Sequence, residues 1–177
     1  TQLDVSRFDT ANVTDMSMMF HSCENLQNLD VSGFDTAHVT DMFSMFWRCK
    51  SLYELDVTGF DTACVTDMKS MFSNCENLTK LDVSRFNTAN VTDMSYMFLY
   101  CKNLTELTGS NTVENRLADR TSMFTGCELL KKADSAKKKQ KTIQVQNQSE
   151  LDRRLKQRTY EGNSIREICN KFLSYEA

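Results

Sequence analysis

A step of 26 residues runs through this chain and constrains its fold more than any other feature. Leu3, Leu29, Leu55, Leu81 and Leu107 stand one step apart, and so do Cys23, Cys49, Cys75, Cys101 and Cys127. Met19, Met45, Met71, Met97 and Met123 keep the same interval, each followed by a phenylalanine. The shared unit reads LDVS-x-FDTA-x-VTDM-x-x-MF-x-x-C-x-x-L, and the fifth copy departs from it at Thr108, Thr112 and Arg120. A fixed period of this length marks stacked supersecondary units, because one such unit cannot bury its apolar side alone.

Each unit splits into two periodicities. Leu29 and Val31 alternate with Asn28, Asp30 and Ser32, which predicts a short strand with one buried face. Met42, Met45, Phe46 and Cys49 fall at i, i+3, i+4 and i+7, which predicts one face of a short helix or 3₁₀ turn. Thr40 is then the N-cap, with Asp41 in the first turn. The expected fold is an α/β repeat: a right-handed leucine-rich-repeat-like solenoid with one short parallel strand and one short helix per coil. Columns of Met, Phe and Cys inside it account for nine of the 10 methionines and most of the 7 cysteines without special chemistry.

The stretch Leu26-x-x-Leu29-x-Val31-x-x-Phe34 follows the leucine-rich-repeat template, with Phe in the usual Asn or Cys place. The whole unit resembles the BspA-like bacterial surface-protein repeat over roughly Leu3 to Leu130, the recurring VTDM-x-x-MF-x-x-C signature being its specific part. That resemblance implies a cell-surface or secreted solenoid engaged in adhesion, and it names no ligand.

Composition divides the chain. Residues 1–130 carry 9 Lys or Arg against 18 Asp or Glu, a net −9, whereas residues 131–177 carry 12 against 6, a net +6. The expected domains are a solenoid of five repeats over 1–130, a basic linker over 131–141, and a helical cap or appended module over 142–177. In that last part Thr142–Val145 allows a short strand, a helix is expected to begin at Ser149, and Ser164-Ile165-Arg166-Glu167 reads as a capping box opening a second helix. The tail also resembles the short helical segments that precede new repeat blocks in that family. The chain opens in mid-repeat at Thr1-Gln2-Leu3 and reads as a piece of something longer. No apolar run is long enough to span a membrane.

Three sets of residues are candidates for function. The positions that vary between copies beside the apolar stripe hold Phe43, Trp47, Arg48, Tyr96, Leu99 and Tyr100, the residue types that binding hot spots favour. Asp4, Asp30, Asp56 and Asp82 are expected side by side, a ladder held either by local hydrogen bonds or by a cation. Cys64 and Cys169 stand outside the cysteine column and are the more reactive thiols expected. The 26-residue cysteine spacing is no metal motif, and His21 and His38 belong to no nucleophile constellation. The chain therefore reads as non-enzymatic and without a cofactor. Its expected partner is a protein or glycan and not nucleic acid, since the lysine run of 137–141 is best taken as a solvated linker. An intracellular interaction scaffold and a structural spacer in a longer surface protein are the alternatives.

Overall fold

The computed structural model describes residues 2–110, 113, 117–133, 135, 139–140 and 144–153. It divides into two units, Thr1–Ala133 and Asp134–Ala177.

In the first unit, copies pair in parallel at the repeat interval, but the strand expected in every coil is absent from the third, where residues 52–57 are irregular and the ladder divides into two two-stranded sheets. Strands β1 (Gln2–Leu3) and β2 (Asn28–Leu29) pair in parallel with Leu3 against Leu29. Strands β3 (Lys80–Asp82) and β4 (Glu106–Thr108) pair with Leu81 against Leu107. On the opposite side of the coil, Asp15, Asp41, Asp67, Asp93 and Asp119 form one continuous run of parallel bridges. Five coils (1–26, 27–52, 53–78, 79–104 and 105–130) are thus laid one on the next.

The interior is built of the columns that the period marks. Phe46, Phe72 and Phe98 are fully buried, and the rings from Phe20 to Phe124 stack at 5.3–5.7 Å between centroids, within 8° of parallel. Offset stacks of this kind add about 0.5–1.5 kcal/mol each beyond area burial. The cysteine column is tied to its neighbours: the Sγ–H of Cys49, Cys75, Cys101 and Cys127 each donates to the carbonyl of the phenylalanine 29 residues earlier, at 2.9–3.2 Å. Buried threonines do the same for the loops, Thr36 and Thr62 donating to the carbonyls of Asp61 and Asn87 in the following coil.

The helix expected over Thr40–Cys49 does not form. Residues 43–48 are turns, and Ser44 and Arg48 have φ of 52° and 59°. Every coil repeats this: Met18, Ser70, Tyr96 and Ser122 match Ser44, and Ser22, Asn74, Tyr100 and Gly126 match Arg48, all at positive φ. The amide of Met45 donates to the Met42 carbonyl and that of Cys49 to the Phe46 carbonyl, each closing a four-residue turn with a left-handed residue in third place, as in type II turns. Between these bonds, the amides of Met42, Ser44, Phe46 and Arg48 donate across to Asp67, Lys69, Met71 and Ser73 of the next coil at 2.9–3.0 Å. Thr40 is accordingly no N-cap: its hydroxyl and amide both donate to the Thr14 carbonyl. The physical reason is room. A helix is about 10 Å across, while paired strands lie about 4.8 Å apart. Flat turns with rings under 6 Å apart keep this face at nearly the strand spacing.

Past the fifth coil, helix α1 covers residues 128–133, so the segment expected as linker begins in a helix. The second unit contains α2 over residues 144–153, which places Val145 in a helix and not a strand and starts the helix before Ser149. The capping box at 164–167 and Cys169 lie outside the described residues.

Candidate functional site

The turn face carries side chains in columns, since residues 26 apart sit one above another. A left-handed residue recurs at every fourth position of this row; the residue before each, such as Phe43 or Trp47, is partly exposed, while the one after, such as Met45 or Cys49, is buried. His21 and Trp47 share one column and stack at 4.4 Å between centroids. Arg48 lies beside them with its guanidinium 5.1 Å from the Trp47 ring centre, and it pairs with Glu24 at 2.9 Å. Lys50 meets the other oxygen of Glu24 at 3.1 Å. The result is an indole in contact with both an imidazole and a guanidinium, with one carboxylate fixing two cations.

A second cluster lies two coils on. Lys69 sits 6.0 Å from the Tyr96 ring centre and 3.6 Å from an Asp93 oxygen. Tyr100 is 46% exposed, while Phe43, Trp47, Arg48, Tyr96 and Leu99 are half-buried. All six variable-position candidates therefore belong to one face of the stack, and they are less exposed than their place off the apolar stripe implied. Sequence reasoning left out His21 and Lys69, which complete the two clusters. Their signal was available: each occupies a column already singled out, His21 one coil before Trp47 and Lys69 one coil after Phe43. In the Lys69 column, the Ser95 hydroxyl is buried with no hydrogen-bond partner among the described residues.

The opposite face bears the aspartate ladder. It lines a groove of about 640 Å³ with Asp30, Glu54, Asp56, Asp82, Glu106 and Lys80, the last 3.5 Å from Glu106. Each ladder carboxylate is engaged locally: the amides of Ser6, Ser32, Thr58 and Ser84 donate to Asp4, Asp30, Asp56 and Asp82 at 2.8–2.9 Å. The hydroxyl and amide two residues on hold all four below the usual carboxylate range. Among the described residues, no group of three or more His, Cys, Asp or Glu side chains is placed to hold a metal ion.

The six described cysteines are free thiols, and Cys64 is exposed while the column members from Cys49 to Cys127 are buried. Burial pushes the Cys49 thiol up to about 12, so it stays protonated at neutral pH. No helix among the described residues is long and apolar enough to cross a membrane.

Comparison with known proteins gives one match. The family model described as "Mycoplasma protein of unknown function, DUF285" matches residues 1–57 and 29–137. No curated protein and no solved structure matches the chain. The matched residues cover all five coils and most of the sequence, and this chain belongs to the DUF285 family.

Proposed function

We propose that the five coils form a right-handed solenoid related to the BspA-like surface repeats, and that it works as a non-enzymatic binding module on the cell surface or after secretion. Its partner is a protein or a glycan, taken on the turn face. The observation that carries this reading is the Trp47 cluster: an indole stacked on His21, flanked by Arg48, with both cations of the patch anchored on Glu24. Aromatic and Arg side chains held in place before contact lose little rotamer freedom on binding, which is why they dominate hot spots. The variation between copies fits such a role, since the columns that build the core stay constant while this face changes.

The test is a double substitution, Trp47→Ala with Tyr100→Ala, in the intact chain. Attachment to host matrix or cells is expected to fall about tenfold or more. Unchanged attachment at unchanged thermal stability overturns the patch. The free thiols favour a second reading, an intracellular interaction scaffold, because reducing compartments keep cysteines in that state. Fractionation of the native cells separates the two.

A further inference from the structure

The turn face has a polarity that an ordinary sheet edge lacks. In the fourth coil the amides of Met94, Tyr96, Phe98 and Tyr100 donate to the carbonyls of Asp119, Thr121, Met123 and Thr125 in the fifth, at 2.8–3.0 Å. Those four carbonyls therefore point back into the stack. A trans peptide directs its N–H opposite to its C=O, and there is no cis peptide among the described residues. The amides of the same four peptide units, those of Arg120, Ser122, Phe124 and Gly126, consequently point away from the stack. The amides of Ser122, Phe124 and Gly126 find no acceptor among the described residues, and that of Arg120 lies against the Asp119 carboxylate. In a flat β-strand, N–H and C=O alternate along an edge. Here the edge of the fifth coil presents donors alone. The four peptides are aligned with those behind them, so their positive ends gather at this edge as they do at a helix N-terminus.

Side chains reinforce that sign. The column of Met16, Met42, Met68 and Met94 changes to arginine only at the fifth coil, where Arg120 is exposed. A cleft of about 290 Å³ opens between Arg120, Ser122, Phe124 and Thr125 on the turn row and Lys131 on α1. Lys131 is 2.9 Å from Glu128. Asp119, the one carboxylate of the turn row, is turned to its own loop by the amide and hydroxyl of Thr121 at 2.8 and 2.7 Å.

We propose that this edge of the fifth coil is an oxyanion-binding site, in which the amides of Ser122, Phe124 and Gly126 and the Arg120 guanidinium receive a phosphate or carboxylate group. An oxyanion supplies several acceptors on one small group, which matches a row of donors, whereas an added flat strand would bring its own amides against this edge. Arg120 supplies the charge-assisted bonds, and the backbone row fixes where the oxygens sit.

The experiment titrates inorganic phosphate and, separately, acetate into the full 177-residue chain labelled with ¹⁵N at low ionic strength. Saturable shifts are expected at the amides of Ser122, Phe124 and Gly126, and the tighter anion tells whether phosphate or carboxylate is the group taken. Arg120→Met restores the residue that the other coils carry and so keeps the fold. It is expected to weaken binding by about fivefold, as for an exposed ion pair. Shifts confined to the lysines of 131–141, no saturation with either anion, or equal affinity in Arg120→Met would each overturn the proposal.

Discussion

Replacing Ser70 by glycine separates the turn from the helix by the sign of its effect. In a helix, Ser70→Gly loses stability, since glycine is among the poorest helix formers by up to about 1 kcal/mol. In the structure Ser70 has φ of 57°, a conformation that costs an L-residue about 1–2 kcal/mol and glycine nothing. Against this gain stands glycine's extra freedom in the unfolded chain, about 0.5–1 kcal/mol. The net expectation is a stabilisation of about 0.5–1 kcal/mol. The inter-coil bond from the Ser70 amide to the Ser95 carbonyl, 2.9 Å, survives because glycine keeps its N–H. Ser70→Val runs the other way, by about 2 kcal/mol, as a β-branched residue fits this region worst. Urea unfolding measures both, read as midpoint shifts at constant slope. A lower midpoint for Ser70→Gly would refute the left-handed turn and restore the helix.

The phenylalanine column predicts a gradient. Phe72→Ala, with a stacked ring on each side, should cost about 3–5 kcal/mol in chemical unfolding, and Phe124→Ala at the end of the column no more than about half that; equal losses would contradict an ordered stack. Alkylation at pH 8 followed by peptide mass mapping should label Cys64 in the folded chain and spare Cys49, Cys75 and Cys101 until denaturant is added. Asp67 is raised above its usual range, first by burial and then by Asp41 and Asp93. A raised folded-state value means its contribution is present at low pH and lost as pH climbs through it. Asp67→Asn keeps an acceptor for the Lys69 amide, at 2.7 Å in the native chain. It should therefore stabilise at pH 7, by less than about 1 kcal/mol given the group's exposure, and make no difference near pH 3. Thermal unfolding at the two pH values checks the sign.

Much of the architecture is legible in one pass along the chain. The Leu, Val, Met, Phe and Cys columns announce which atoms meet, because residues at a constant interval must share an environment. The turn face was misread for a definite reason. Met42, Met45, Phe46 and Cys49 face inward at helical spacing, yet consecutive four-residue turns place their residues inward at the same positions. Apolar period alone does not tell the two apart. What does is the residue between: Asn74 and Gly126 share the left-handed column with Ser22, Arg48 and Tyr100, and Asn and Gly are the types that adopt that conformation most readily. Gly126 is doubly required, because a Cβ there would lie 2.3 Å from the Tyr100 ring. The aspartate ladder was legible as a ladder. Its local hydrogen bonds were one of two readings, and the carboxylate geometry shows them in place. The Trp47 cluster was half legible: its members could be chosen by column, but the stacking on His21 depends on coil spacing that no single copy encodes.

The inter-coil bonds of the first unit have an evolutionary consequence. Each one joins a residue to a partner about 26 positions away in the adjoining coil. Duplicating a whole unit in register, for example after Leu78, would add one more layer and replace the bonds at one interface by equivalent ones while leaving the other interfaces intact. Deleting or inserting a few residues would instead put Phe against Met and Cys against loop at a whole interface. Selection acting on such a gene can vary the length of the protein in steps of one unit almost without penalty, while it polices the reading of each unit closely.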